Sequence, residues 1–417
     1  MVKTVVIVGA GFTGLPTAHK LLIYTASKVP EGLKVVLVSP NSHFYWNLAA
    51  VRGIIPGAIP DEQLFLPIID AFSRYPSENF EFILGKADSL QPENSVVRVV
   101  ANDGSTREIT YDQLVIATGS SIRGDMPFKS IGAHEDTIAA LHSLQKEIEN
   151  AGSITIAGAG PTGVETAGEL AAAYGTKKQI TLICAGDKVL HSSDVIPSVS
   201  QTVENDLQKL GVKVIHKTKV ETSTKEPTGQ TELVLSNGEI ITTDVYLPLF
   251  GLQINAGWLP PSLLDAEGNV QLDSYMRVKG TANVWGIGDV GNLESKQVTA
   301  TDAQIIDLAE NLDFVLTGRE SQIKEHKIAD KKMIFITLGK SYATGQISWW
   351  RVWGWLVAYI KGRKIFVDSA PNYVNGKELR HKPMNRFRVK GIGRQLQSEL
   401  TAIVSPHPRL ELRLYFS

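Results

Sequence analysis

Two glycine-rich segments of similar sequence constrain this chain more than any other feature. Residues 5–14 read VVIVGAGFTG, and residues 154–163 read ITIAGAGPTG. Each segment follows an apolar run and opens a stretch compatible with a helix, as a dinucleotide-binding turn requires. In such a turn the first glycine makes the bend, the second admits a pyrophosphate, and the third lets helix pack on strand. Two such turns indicate two dinucleotides with hydride transfer between them; the alternative for each is a tight turn without a ligand.

The apolar periodicity around each turn predicts a strand–helix–strand unit. The predicted strand, helix and strand run over residues 4–9, 11–23 and 35–38 in the first unit, and over 153–158, 161–174 and 179–184 in the second. We therefore predict an α/β fold with two Rossmann-like dinucleotide-binding domains, the second inserted in the first, plus a smaller C-terminal α+β region.

The predicted domains follow from the order of these units along the chain. They are an outer nucleotide domain formed by residues 1–135 and 270–325, an inner nucleotide domain at 136–269, a C-terminal domain at 326–383 with a Trp-rich amphipathic helix, and a basic tail of unknown structure at 384–417.

Composition excludes several classes of protein. The single cysteine, Cys184, leaves neither an intrachain disulfide nor a CxxC dithiol. A net charge of −1 gives no general attraction to nucleic acid. We see no metal-binding motif and expect no metal. No run reaches the roughly 20 apolar residues that a spanning helix needs. The single cysteine suits a reducing compartment, and we expect a cytoplasmic protein that can contact a membrane peripherally.

An acidic residue that would hold the ribose is missing from the end of the second strand in both units. In the first unit Ser39 follows the strand, and in the second Cys184 does. A carboxylate at this position normally accepts a hydrogen bond from the ribose 2′-hydroxyl. Its absence from the second unit removes the usual barrier to a 2′-phosphate, yet no arginine replaces it, and Lys188 is the nearest cation. NADH and NADPH both stay open as the nicotinamide.

Motifs outside the two turns resemble those of flavoproteins with two dinucleotide domains. They are the strand end Ala117-Thr118-Gly119 and the turn Gly286-Ile287-Gly288-Asp289. The runs at 42–52, 163–165, 333–347 and 361–367 resemble the AIF-like (AMID-type) group that includes ferroptosis suppressor protein 1 and is related to type II NADH dehydrogenases. Relatives in this group reduce quinones. The resemblance implies FAD at the first turn and NADH or NADPH at the second.

The turns and this resemblance together give two sets of candidate cofactor-binding residues. For FAD they are Gly9, Gly11, Phe12, Thr13, Gly14, Ser39, Asn47, Arg52, Ala117, Thr118, Gly119, Asp289, Lys296 and Gln297. For the nicotinamide they are Gly158, Gly160, Pro161, Thr162, Gly163, Glu165, Cys184 and Gly251.

Several of these residues have a simpler structural interpretation beside the functional one. Asp289, expected to bind a ribityl hydroxyl, is also suited to a helix N-cap or a turn. Arg52, expected to pair with the pyrophosphate, is also compatible with packing. Lys296 and Gln297, expected to cover the flavin ring, precede a predicted helix and suit simple capping.

Two residues are candidates for the catalytic centre. Glu165 lies in the first turn of the second helix, where the resemblance places it beside the nicotinamide; the alternative is a carboxylate that only stabilises the helix dipole. Lys361 lies in a basic run, which is usually a solvated face. The resemblance implies that this lysine lies close to the flavin, where a cation stabilises a reduced ring or orients an acceptor carbonyl.

Four of the seven tryptophans occur at positions 349, 350, 353 and 355. As a helix with its flanking cations, residues 349–364 suit a membrane interface. The alternatives are a helix packed on the flavin domain or at a homodimer interface. In each of these three arrangements, the aromatic rings are suited to lining the path of a flat apolar acceptor.

These observations lead to one principal hypothesis: an FAD-dependent NAD(P)H oxidoreductase that passes electrons to a quinone-like small molecule. Two alternatives are a flavin-dependent oxidase or oxidoreductase of a specialised metabolite and a redox-controlled AIF-like binding protein. Nucleic acid is not an expected partner of the whole chain, because its net charge is close to zero.

Overall fold

A computed structural model of the chain describes residues 1–191, 193–328 and 333–377. The predicted tail at 384–417, and residues 329–332 and 378–383 of the predicted C-terminal domain, lie outside the described residues.

The described residues form 21 strands and ten α-helices. The strands are β1 (Lys3–Val8), β2 (Leu33–Ser39), β3 (His43–Tyr45), β4 (Phe65–Pro67), β5 (Phe80–Gln91), β6 (Val96–Ala101), β7 (Thr106–Thr110), β8 (Gln113–Ile116), β9 (Ser120–Ile122), β10 (Ser153–Ala157), β11 (Gln179–Ile183), β12 (Lys213–Ile215), β13 (Val220–Lys225), β14 (Thr231–Leu235), β15 (Ile240–Thr243), β16 (Val245–Pro248), β17 (Leu252–Ile254), β18 (Val284–Gly286), β19 (Met333–Leu338), β20 (Tyr342–Ile347) and β21 (Trp350–Val352). The helices are α1 (Gly14–Lys20), α2 (Ala50–Gly53), α3 (Asp61–Leu64), α4 (Ile68–Phe72), α5 (His134–Asn150), α6 (Pro161–Tyr174), α7 (Pro197–Lys209), α8 (Val298–Leu316), α9 (Gly354–Val357) and α10 (Ala370–Val374).

A seven-stranded sheet forms the first nucleotide unit, in the order β18-β8-β1-β2-β5-β6-β7. The strands from β18 to β5 are parallel, and β6 and β7 add an antiparallel edge. The central strand β1 is buried on both faces, which explains its uninterrupted β-branched sequence. Helix α1 begins at Gly14, three residues later than predicted, and its chain continues as a π-helical turn through Leu21–Thr25.

A second parallel sheet, in the order β12-β11-β10-β16, forms the second nucleotide unit. Its strands lie between β8 and β18 in the chain, so the segment that carries this sheet is inserted between two neighbouring strands of the first sheet. The antiparallel pair β9–β17 joins the two crossing points of the chain. The α/β architecture with two nucleotide-type sheets is confirmed; the boundaries at 135/136 and 269/270 stay predictions.

The C-terminal region contains an antiparallel sheet, β19-β20-β21, which packs on helix α6. The close approach depends on Gly168, where a Cβ atom would lie 2.5 Å from the Cβ of Leu338. This contact brings β19 onto the helix that follows the second glycine turn.

The Trp-rich segment is not the single helix that we predicted. Ile347 pairs with Trp350 across a hairpin whose turn contains Ser348 at φ 56°. Helix α9 begins only at Gly354, where a Cβ atom would lie 2.3 Å from the carbonyl oxygen of Ala343. Pairing with β20 therefore overrides the helical spacing of the tryptophans, because a strand partner satisfies the backbone of residues 350–352.

Candidate functional site

The first glycine turn has the geometry that the sequence predicts. Gly9 has φ 110°, and a Cβ there would lie 2.3 Å from the carbonyl oxygen of Ala117. A Cβ on Gly14 would lie 1.9 Å from the carbonyl oxygen of Gly9, so this glycine brings helix and strand together. Gly11 has no atom within 4 Å of the corresponding position. Its backbone therefore faces open space, where a pyrophosphate would approach.

The second glycine turn repeats this geometry closely. Gly158 has φ 109° and would place a Cβ 2.3 Å from the carbonyl oxygen of Leu249. A Cβ on Gly163 would lie 1.8 Å from the carbonyl oxygen of Gly158, whereas one on Gly160 would meet nothing within 4 Å. Helix α6 begins directly after Gly160, so its unpaired N–H groups lie beside the turn.

Both turns open into one continuous cavity of about 1390 Å³. A pocket for one small molecule usually measures about 300–1,000 Å³, so this cavity suits more than one ligand. Most of the predicted site residues line it: Gly9, Gly11, Phe12, Thr13, Ser39, Asn47, Ala117, Thr118, Gly119, Gly158, Gly160, Pro161, Thr162, Gly163, Glu165, Gly251, Asp289, Lys296, Gln297 and Lys361.

Three predicted cofactor-binding residues do not line the cavity. Gly14 packs the helix against the turn, as described above. Cys184 is fully buried, and its thiol donates to the carbonyl oxygen of Lys188 at 3.2 Å. Its neighbour Ala185 lines the cavity in its place, because the strand end turns the side chain of residue 184 inwards. Burial raises the pKa of the Cys184 thiol, so it stays protonated.

Arg52 is the third, and its predicted role at the pyrophosphate is corrected. Its Nε and Nη2 donate to the two carboxylate oxygens of Glu169 at 2.8 and 2.7 Å. Its Nη1 and Nη2 also donate to the carbonyl oxygens of Arg363 and Gly362. The guanidinium is engaged away from the cavity because Glu169, one helical turn after Glu165, lies beside it.

Glu165 and Lys361, 196 residues apart, form an ion pair at the cavity wall. Lys361 Nζ donates to Glu165 Oε1 at 2.6 Å and to the carbonyl oxygen of Phe335 at 2.8 Å. The same Glu165 oxygen accepts from the backbone N–H and the hydroxyl of Thr337 on β19. The side chains are 8% and 16% exposed, so solvent screens this pair only weakly.

Asp289 lies between two lysines at the far side of the first turn. Its carboxylate accepts from Lys129 Nζ at 2.6 Å and from the Ser120 hydroxyl at 2.8 Å. Lys296 Nζ donates to the carbonyl oxygen of Asp289. Burial alone would raise the pKa of Asp289, but the charge and hydrogen bond of Lys129 outweigh it and lower that pKa. The residue is therefore a carboxylate, as an acceptor of hydroxyl hydrogen bonds must be.

Sequence reasoning missed several residues in and around this cavity: Lys129 and Phe335 line it, whereas Thr337 and Gln304 hold lining residues through hydrogen bonds. Lys129 carries no motif, and only the tertiary structure brings it to Asp289. Phe335 and Thr337 lie on β19 in a run that we noted only for its resemblance. Gln304 lies on α8 and accepts from the backbone N–H of Gly288 at 2.8 Å, which braces the turn before Asp289. None of these has a local sequence signal.

The residues fit the two cofactors that the sequence indicates. Gly11 and Gly160 leave the backbone of each turn open towards the cavity, and a side chain at either position would occupy that space. The polar groups of Asp289 and the Glu165–Lys361 pair lie in the same volume. Among the described residues, no cluster of three or more His, Cys, Asp or Glu side chains could hold a metal ion.

Comparison with known proteins gives the same result. The sequence profile of the family described as pyridine nucleotide-disulphide oxidoreductase matches residues 3–310. The chain belongs to this family. Its cofactors are FAD and a nicotinamide, NADH or NADPH. Since the sequence contains a single cysteine, this member lacks a redox-active cysteine pair of its own.

Two curated relatives match most of the chain. Oxidoreductase ptaL of Pestalotiopsis fici is 41% identical over 377 residues, which are 90% of this chain and all of the relative. Ferroptosis suppressor protein 1 of Xenopus tropicalis is 28% identical over 88% of this chain and 94% of its own. The predicted resemblance to the ferroptosis suppressor protein 1 group is therefore confirmed.

Solved structures confirm the fold. The sulfide:quinone oxidoreductase of Aquifex aeolicus has a TM-score of 0.72 at 19% identity and covers 90% of this chain and 92% of its own. NDH2 of Plasmodium falciparum in complex with NADH has a TM-score of 0.71 at 13% identity, and the match covers 91% of this chain and 98% of NDH2. Within the ranges that the structure describes, no helix is both long enough and apolar enough to cross a membrane.

Proposed function

We propose that this protein oxidises NADH or NADPH and reduces a quinone-like acceptor to the quinol, with uptake of one proton per turnover. The observation that carries the proposal is the single cavity lined by both glycine turns and by the Glu165–Lys361 pair. FAD, when bound, supplies the chemistry that accepts a hydride and passes on two electrons. Ferroptosis suppressor protein 1, NDH2 and a sulfide:quinone oxidoreductase among the relatives and similar structures support this reaction class.

The first turn, with Thr118, Asp289 and Lys296, is proposed to hold FAD, and the second turn to hold the nicotinamide. Each helix N-terminus presents free N–H groups to a pyrophosphate. The carboxylate of Asp289 would accept hydrogen bonds from hydroxyl groups of the flavin nucleotide. These contacts orient both cofactors in one volume.

The ion pair at the cavity wall is proposed as the catalytic centre. Lys361 places a fixed positive charge beside the reacting groups, where developing negative charge is stabilised best in a site sheltered from water. Glu165 holds that lysine through one carboxylate oxygen, and Thr337 holds the carboxylate. The second oxygen of Glu165 has no hydrogen bond among the described contacts, so it is available to the carboxamide of a nicotinamide.

The acceptor is proposed to reach this centre along β19. Met333, Ile334 and Phe335 line the cavity with apolar side chains. Met333 pairs with Ile347 across the hairpin, next to Trp349 and Trp350. A flat apolar acceptor therefore has a continuous apolar surface from outside to the cavity.

The tryptophan hairpin, which we define as Ile347, Trp349, Trp350, Trp353 and Trp355, is proposed to contact a membrane surface. Its four tryptophan side chains are 58–70% exposed, unlike the two fully buried tryptophans at 46 and 285. Arg351 lies within this segment, and Arg363 follows it in sequence. Aromatic rings beside cations are typical of proteins that sit at the headgroup level of a bilayer.

Anaerobic stopped-flow spectroscopy tests the reaction. The purified protein should be yellow, should bleach with NADH or NADPH within one turnover, and should recover its colour with a soluble quinone. Rapid recovery with oxygen instead, and none with quinones, would favour an oxidase. A protein that retains no flavin after gentle purification would contradict the proposal.

Vesicle co-sedimentation tests the membrane contact. The wild-type protein should bind vesicles, and Trp353→Ser with Trp355→Ser should abolish that binding while activity with a soluble quinone stays within about twofold. Ile240→Ser, which removes a 59% exposed apolar side chain on the second unit, is the matched control. Loss of a dimer rather than of vesicle binding would assign the hairpin to an interface between copies.

A further inference from the structure

Helix α6 carries two buried carboxylates, one turn apart, and each is paired with a cation from a distant part of the chain. Glu165 is paired with Lys361, and Glu169 is paired with Arg52. The first pair lines the cavity, whereas Arg52 and Glu169 do not. The second pair therefore lies outside the proposed cofactor site, and beyond Glu169 the guanidinium contacts the chain that follows Lys361.

Arg52 holds the chain immediately after Lys361. Its Nη2 donates to the carbonyl oxygen of Gly362 at 2.7 Å, and its Nη1 donates to that of Arg363 at 2.9 Å. These carbonyls belong to the end of a π-helical turn at Ala358–Gly362. Carbonyl groups at the end of a helix have no partner within the helix, so the guanidinium serves as their cap.

The Arg52–Glu169 contact itself is rigid. Both carboxylate oxygens accept from the guanidinium, and the side chains are only 5% and 4% exposed. A bidentate pair of this kind fixes direction as well as distance. Burial raises the pKa of Glu169, and the neighbouring Arg52 offsets part of that rise. The two short hydrogen bonds from the guanidinium indicate that Glu169 is present as the carboxylate.

We propose that Arg52 and Glu169 are a positioning pair that sets the place of Lys361 against Glu165 and thereby the rate of hydride transfer. This inference rests on the proposed function. Arg52 lies on α2 of the first unit, Glu169 on α6 of the second, and Lys361 in the C-terminal region. The pair thus joins three regions at the point where the catalytic lysine leaves the backbone.

The position of Lys361 is sensitive to Arg52 because the two carbonyl groups that Arg52 holds belong to the next two residues of the chain. Lys361 Nζ has two fixed partners, Glu165 and the carbonyl oxygen of Phe335. A shift of the 361–363 backbone by about 1 Å breaks at least one of them, and errors of that size cost up to about 100-fold in rate. Glu169 and Glu165 lie on the same helix. Both ion pairs are therefore positioned relative to one rigid element.

The test uses Arg52→Lys, which keeps the charge but loses the planar fork that holds two oxygens and two carbonyls. The rate constant of flavin reduction should fall about 10- to 100-fold. The Kd for NAD(P)H should stay within about threefold, and the FAD content should stay unchanged. Arg319→Lys, which alters an ion pair with Asp313 on α8 outside the cavity lining, is the matched control and should change none of these.

A double-mutant cycle with Lys361→Met separates positioning from a merely structural role. If Arg52 acts through Lys361, adding Arg52→Lys to Lys361→Met should slow flavin reduction by less than about twofold more. Additive losses would overturn the proposal. Should Arg52→Lys not fold, Arg52→Met with Glu169→Leu removes both charges together, which buried pairs tolerate better than the loss of one, and should give the same fall.

Amine labelling gives a readout that does not depend on activity. In the purified holoprotein, the acylation rate of the Lys361 amine, followed by mass spectrometry, should rise at least about fivefold in Arg52→Lys, because its partners no longer hold it. Lys296, also in the cavity, should be unchanged. A wild type that fails to oxidise NAD(P)H would refute the proposed function, whereas an active Arg52→Lys variant with unchanged labelling would refute only the positioning pair.

Discussion

The two glycine turns are nearly identical in backbone and differ sharply in the helices that follow them. The first glycines have φ 110° and 109°, and a Cβ atom added to either third glycine would lie 1.9 or 1.8 Å from the carbonyl oxygen of the first. Seven and eleven residues after the first glycine, however, α1 carries Pro16 and Lys20 where α6 carries Glu165 and Glu169. The turn itself is suited only to binding a pyrophosphate. The residues that we propose for the chemistry lie on the helix that follows the second turn.

The largest expected effects come from filling one glycine turn at a time with a side chain. Gly11→Val and Gly160→Val place a side chain in open space with no positive φ to strain them, so both variants should fold. Gly11→Val should purify colourless and inactive, because its turn is proposed to hold FAD. Gly160→Val should stay yellow, with the KM for NAD(P)H raised at least about tenfold. Absorbance at purification and steady-state kinetics measure both; a colourless Gly160→Val would reverse the assignment.

The two helices are compared by Glu165→Gln and Pro16→Ala, which change equivalent positions. Glu165→Gln removes the charge that holds Lys361 and should slow flavin reduction about 100-fold. Pro16→Ala should leave that rate unchanged. Stopped-flow absorbance measures both, and equal rates in the two variants would show that the second helix carries no chemistry of its own.

The strand ends of the two units allow a finer test of nucleotide selectivity. Ala185, rather than Cys184, faces the cavity at the end of β11. Ala185→Glu should raise the KM for NADPH relative to that for NADH by about tenfold, because a carboxylate repels a 2′-phosphate. Lys225→Glu makes a larger charge change at an exposed position of β13, outside the cavity lining, and is the control. An unchanged ratio would place the ribose elsewhere.

The smallest expected effect concerns a buried histidine that braces only the first unit. His326 bonds Glu294 and Asp307, and Glu294 in turn holds Gln304 against Gly288. Burial disfavours its charge, but the two carboxylates outweigh this and raise the pKa of His326 to about 9. The stabilisation is therefore complete below the ordinary pKa near 6.5 and is lost as pH rises through about 9.

Between pH 7.5 and 9.5 we expect the free energy of unfolding, measured by urea denaturation, to fall by about 1–2 kcal/mol. FAD should also be released at a lower urea concentration at the higher pH. His326→Gln should remove this pH dependence. His142→Gln, at a half-exposed histidine paired with Asp61, should leave it. A pH dependence that persists in His326→Gln would contradict the assignment.

Both glycine turns were predictable because their requirements are local. A positive φ and a close carbonyl exclude any side chain at Gly9 and Gly158, and these constraints are visible in a ten-residue window. Glu165 was predictable as a candidate because it lies two residues after the second turn, whereas Asp289 was identified through the resemblance of the turn that contains it. Lys361 was found only through a resemblance between motifs.

Arg52, Cys184 and the tryptophan segment show where local patterns fail. Arg52 has the charge for a pyrophosphate, but its partner Glu169 lies 117 residues away. Cys184 lies at the right strand end with its side chain on the inner face. The tryptophans have helical spacing, yet Trp350 pairs with Ile347 in a hairpin. Each outcome depends on packing against a distant segment.

Two nucleotide turns, the α/β architecture, the insertion of one unit in the other and the absence of a cysteine pair all follow from the amino-acid sequence. Which charges meet becomes visible only in the folded chain: Lys361 pairs with Glu165, Arg52 with Glu169, and Lys129 with Asp289. The difference arises from the separation along the chain of the residues that interact. A turn is dictated by sterics among neighbouring residues, whereas an ion pair across 117 to 196 residues exists only after the sheets have packed and water has left the interface.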